Sequence, residues 1–96
     1  MVRKAQCAAE AASLESIPNV GPAIAEDLRR LGIETPSALI GQDPCQLFLD
    51  LCILAGARQD PCVLDTFIAA TRFMAGDPPQ PWWHYTAERK RLKLIA

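Results

Sequence analysis

The sequence has no apolar run near the roughly 20 residues that a bilayer crossing takes, so it predicts no membrane-spanning helix and no membrane partner. Its opening, MVRKAQCAAEAAS, starts with cations as a secretory leader does. Gln6, Glu10 and Ser13 then interrupt any apolar core of such a leader, and a cytoplasmic location is the expectation. Paired CxxC spacing is also missing. Cys7, Cys45, Cys52 and Cys62 are therefore expected as reduced thiols. Aromatic residues are few, namely Phe48, Phe67, Phe73, Trp82, Trp83 and Tyr85, which leaves the core to Leu, Ile, Val and Ala on helices. An excess of positive charge is lacking too: the formal net charge is −1, which excludes an overall electrostatic grip on nucleic acid. Paired carboxylates, a nucleophile beside a base and a nucleotide loop are not visible, so neither an enzyme nor a cofactor is expected.

What is present organises itself around residues 14–33, LESIPNVGPAIAEDLRRLGI. An Ala-rich helix over residues 4–17 is predicted to pack Leu14 and Ile17 on the core and to stop before Pro18. Pro22 opens a second helix, where it costs no hydrogen bond, and Gly32 closes it. Between them Pro18, Asn19, Val20 and Gly21 make a tight corner that needs one or two residues at positive φ. This is the outline of a helix-hairpin-helix. The amides of Gly21, Ala23 and Ile24 would then lie at the positive end of the helix dipole, able to take one phosphate without reading bases.

Further on, Thr35-Pro36, Asp43-Pro44 and Asp60-Pro61 each repeat a polar cap followed by proline, with Gln46 placed for a capping box. The helices from Pro44 and Pro61 would flank a corner at residues 56–61 and repeat the first unit in degenerate form. The fold is thus expected to be all-α, a duplicated helix-hairpin-helix (SAM-like) bundle of about five or six short helices. Residues 1–12 would be the frayed start of the first helix and 13–76 the double unit. Residues 77–96 would form a Pro/Trp lid, DPPQPWWHYT, and a basic helix over 86–94.

The motif resembles the helix-hairpin-helix of DNA ligases, polymerases and recombination proteins, which grip one DNA phosphate at a glycine-hydrophobe-glycine corner. Here Asn19 takes the first glycine's place, and Glu26 and Asp27 stand where DNA-binding members commonly carry Lys or Arg. Across residues 17–90 the strings IPNVGPAIAEDLRRLGI, DPCVLDTFIAATRFM and PWWHYTAERK resemble the bacterial pathogenicity-locus family, some of whose members carry the name mitomycin resistance protein. That resemblance implies a small DNA-associated helix-hairpin-helix protein without established catalytic residues.

Other constellations have plainer readings. Cys62, in a helix's first turn, is placed for a lowered thiol pKa, and with His84 and Cys45 or Cys52 it would supply zinc ligands. Cysteines at this spacing are better read as small apolar core residues, so no metal is expected. Trp82 and Trp83 are read as a lid over the core with one ring partly exposed, rather than as a platform for bases. His84 is read as packed or capping.

The expected function is a non-enzymatic module making weak, sequence-independent contact with the DNA backbone as an accessory in repair or recombination. Asn19, Val20, Gly21, Ala23 and Ile24 form the corner, and Arg29, Arg30, Arg89, Lys90 and Arg91 supply charge. The alternative is an adaptor that binds a protein partner, with the hairpin purely structural. A homodimer is compatible with either reading.

Overall fold

Proline decides where three helices begin. In the computed structural model, which describes residues 3–92, Pro22, Pro44 and Pro61 are the first residues of α1 (Pro22–Arg30), α2 (Pro44–Ala55) and α3 (Pro61–Met74). The Asp43 carboxylate accepts the Cys45 amide and the Asp60 carboxylate accepts the Cys62 amide, each at 2.9 Å. The bond from Cys62 holds the Asp60 carboxyl below the usual carboxylate range. Helix ends are as regular as the starts. Gly32, at φ 87°, lets the chain reverse so that the Ile33 amide reaches the Leu28 carbonyl at 2.9 Å. The same closure recurs from Ala57 to Cys52 and from Asp77 to Arg72.

Two predicted helices take another form. The stretch 4–17 holds only two 3-10 turns, Ala8–Glu10 and Leu14–Ser16. A continuous helix would keep residues 5 and 16 about 16 Å apart. Instead the Ala5 amide donates to the Ser16 carbonyl at 2.8 Å, folding the segment back on itself. The Lys4 ammonium fastens that fold. It donates to the carbonyls of Glu15 (2.7 Å), Ile17 (3.2 Å) and Val20 (2.7 Å). Thr35-Pro36 likewise opens only a 3-10 turn, Pro36–Leu39, which Gly41 soon reverses. Among the described residues there are accordingly four α-helices and no strand. The capping box at Asp43 does not form, because Gln46 reaches forward to Asp50 at 2.8 Å, one turn along α2. The last helix, α4 (Thr86–Leu92), follows a 3-10 turn at Trp82–Tyr85; Leu94, predicted as its end, lies outside the described residues.

α3 is the centre of the molecule. Leu64, Phe67, Ile68, Ala70 and Phe73 are buried on it, and α2, α4 and the turns at Pro36–Leu39 and Trp82–Tyr85 all pack against it. Leu14, Ile17, Val20, Ala25 and Leu28 bring the corner and α1 into the same core. Each of the larger side chains among them, Leu, Ile, Val and Phe, contributes about 1.5 to 3 kcal/mol when fully buried. None of the described residues has a helix long and apolar enough to cross a membrane.

One charge is inside. Asp65 is fully buried on α3, where its carboxylate accepts the Thr86 hydroxyl at 2.7 Å and the Arg89 Nε–H at 2.8 Å. Through these bonds α3 holds both ends of the first turn of α4. Arg89→Met, which strands the carboxylate in the core, should lower unfolding stability by about 3 kcal/mol in urea titration. Asp65→Asn, which removes the charge itself, should cost less.

Candidate nucleic-acid interface

The corner is built on a single positive φ. Only Asn19, at φ 73°, adopts a positive φ there; Gly21 is extended at φ −89°, ψ −177° and serves as the N-cap of α1. Val20 is fully buried, with its amide bonded to the Ile17 carbonyl and its own carbonyl held by Lys4. It is a plug, not a contact residue. The first helical bond runs from the Ala25 amide to the Gly21 carbonyl at 2.9 Å, so the Ala23 and Ile24 amides precede it and have no acceptor within the helix. Ala23 is exposed, and Gly21 and Ile24 are half-buried.

Gly21 differs from the other four glycines. They all sit at positive φ, whereas its backbone suits any residue; at each of the five a Cβ would meet nothing within 4 Å. Folding does not require a glycine at this point. As the N-cap, Gly21 offers no side-chain acceptor to the Ala23 and Ile24 amides, the second and third of the helix.

Asn19 has a role that its sequence context did not announce. Its Nδ2 donates to the Gln80 carbonyl at 2.7 Å, and its Oδ1 accepts the Trp82 amide at 3.2 Å. The residue in a glycine's place therefore clamps the Pro/Trp segment beside the corner. The usable signal was the need of the proline-broken backbone at 77–82 for hydrogen-bond partners outside itself. The clamp leaves Trp82 half-buried with Trp83 edge-on to it at 5.5 Å, and Trp83 is 63% exposed. His84 is exposed overall, with its ring packed edge-on against Tyr85 at 4.9 Å.

The cations are divided between duties. Arg29 pairs with Glu15 at 2.8 Å, and this hydrogen bond holds the Glu15 carboxyl below the usual glutamate value. Arg89 is committed to Asp65. Arg30 lies 3.9 Å from Asp27, whose carboxyl is pushed up by burial. Lys90 and Arg91 are exposed on α4, and Glu26 is exposed on α1. Of the cations assigned to the interface from sequence, Arg29 and Arg89 thus hold the fold together.

The thiols do not gather. Among the described residues no three His, Cys, Asp or Glu side chains form a metal-holding group. A helix start favours a lowered thiol pKa, but burial and the neighbouring Asp60 push Cys62 up; burial and Asp43 do the same to Cys45.

Residues 7–91 match the family described as Pathogenicity locus. A relative from Streptomyces lavendulae, named mitomycin resistance protein McrB, is 41% identical over 83 residues, covering 86% of this chain and 79% of the relative. No solved structure matches.

Two measurements check the corner. Asn19→Ala keeps neither the clamp nor an easy positive φ and should cost about 2 to 3 kcal/mol in denaturant unfolding. Asn19→Gly, which keeps the φ, should cost about 1 kcal/mol, with both variants altering tryptophan emission as the segment loosens. In an NMR pH titration Glu15 should protonate below the ordinary glutamate value, and Arg29→Gln should move its midpoint back up. The stability from this pair is present above the ordinary glutamate pKa and is lost as pH falls through the depressed one.

Proposed function

We propose that this chain, which belongs to the pathogenicity-locus family, is a non-enzymatic helix-hairpin-helix module that holds one phosphate of a DNA backbone. The observation that carries the reading is Gly21: a glycine whose backbone suits any residue, at the N-cap of α1, the position from which a polar side chain reaches the first amides of a helix. Amides of Gly21, Ala23 and Ile24 supply the hydrogen bonds, and the dipole of α1 favours an anion there. Arg30, Lys90 and Arg91 supply charge. On this reading Leu14–Arg30 is one helix-hairpin-helix unit, and α2 with α3 is a degenerate second one.

Contact of this kind is independent of base sequence and weak, because Glu26 and Asp27 oppose it and the chain carries no net positive charge. The module fits an accessory role in DNA repair or recombination. The name of the Streptomyces lavendulae relative adds survival under mitomycin as a cellular readout for strains lacking or carrying this chain.

A fluorescence-anisotropy titration with a labelled DNA duplex tests the reading. Binding should weaken with salt by a log–log slope of about −0.9 for each phosphate contacted. Gly21→Glu should weaken it at least about tenfold, and Gly21→Ala should weaken it less while leaving the unfolding midpoint unchanged. Trp83→Ala should leave binding intact. No binding at roughly 20 mM salt would sink the proposal.

A further inference from the structure

α2 reads PCQLFLDLCILA, with Gln46 and Asp50 its only polar side chains apart from the thiols of Cys45 and Cys52. A helix apolar on every side belongs in an interior. In this chain α2 covers only one side: Leu47, Phe48 and Leu51 are buried against the core, while Leu49 (38%), Leu54 (50%) and Ile53 (78%) face outward. Single exposed aliphatics are ordinary on a protein surface; three on one helix, beside a groove, are a surface built to be covered.

The groove is formed by Leu31 and Arg30 from the end of α1 and by Asp50, Ile53 and Leu54 from α2. Its rim carries one cation and one carboxylate. The Arg30 guanidinium is only loosely engaged, 3.9 Å from Asp27, with 44% of its side chain exposed, and Asp50 is exposed with one oxygen taken by Gln46. A polyanion would meet Asp50, and a strongly basic partner would meet Arg30. A surface carrying both signs around an apolar centre is complementary to itself, which is what a twofold interface requires.

We infer that the outer face of α2 is a homodimer interface, in which Ile53 and Leu54 of two copies pack together. Arg30 of each copy then meets Asp50 of the other. The two readings share Arg30, but neither Gly21 nor the α1 amides line this groove, so Gly21→Glu tests the phosphate contact and Ile53→Asp tests the dimer separately.

Sedimentation equilibrium of the full chain, from roughly 1 μM to 1 mM, decides it. The wild type should associate to a dimer with rising concentration. Ile53→Asp, at a position 78% exposed, should raise the dimer dissociation constant at least about tenfold while helical circular dichroism and the melting temperature stay unchanged. Arg30→Glu and Asp50→Arg should each weaken the dimer alone. An equimolar mixture of those two variants should recover a heterodimer, because the reversed charges then face each other across the axis; an ion pair within one chain would not respond to mixing. A wild type that stays monomeric throughout, an Ile53→Asp dimer as tight as wild type, or a mixture no tighter than its components overturns the inference. So does capture of a different protein on this face by a chain that never self-associates.

Discussion

The burial of α3 is the constraint on which the rest of this structure depends. Ten of its fourteen residues are buried, and Asp65 is among them. A helix covered on every side must be surrounded, and a chain of 96 residues has only short pieces with which to do it. α2, α4 and two 3-10 turns each take one side. Asp65 makes that enclosure specific. A carboxylate with no water must be paired and hydrogen-bonded, so Thr86 and Arg89 are drawn to one point and α4 has one place to sit.

The same economy governs the corner. Lys4, from before the first turn, takes three carbonyls around it, and Asn19 holds the segment that leads to Trp82. Elements from both ends of the chain thereby converge on the few residues ahead of α1. What they leave uncovered is the start of the helix, where Gly21 presents no side chain. Structural ties engage Arg29 and Arg89 with carboxylates. The charge available to an anion is correspondingly modest, and the phosphate contact proposed for this corner draws chiefly on backbone amides and a dipole.

Much of the helical frame was legible because its signals are local. Proline at the first position of α1, α2 and α3, aspartate before two of them, and glycine after their last turns act within a few residues, and the structure follows them. Failures came where a distant partner outbid a local preference. Alanines in residues 4–17 favour a helix, but the bond from Ala5 to Ser16 closes the segment instead. Cys62 is a failure of another kind: it sits at a helix start, but burial, with Asp60 beside it, pushes the thiol up. Arg89 reads as part of a basic tail until Asp65, 24 residues earlier, is placed beneath it.

Sequence by itself determined an all-helical chain, the starts and stops of its three main helices, the corner between Ile17 and Pro22, and the family, because each of these rests on short-range sterics or on long matching strings. Only the tertiary structure decided which charges are spent, which thiols are shielded and which apolar residues of α2 face outward. It also decided that Asn19, and not Gly21, carries the left-handed backbone of the corner. These outcomes depend on partners tens of residues away, whose proximity is set when the core closes around α3 and cannot be read from neighbours along the chain.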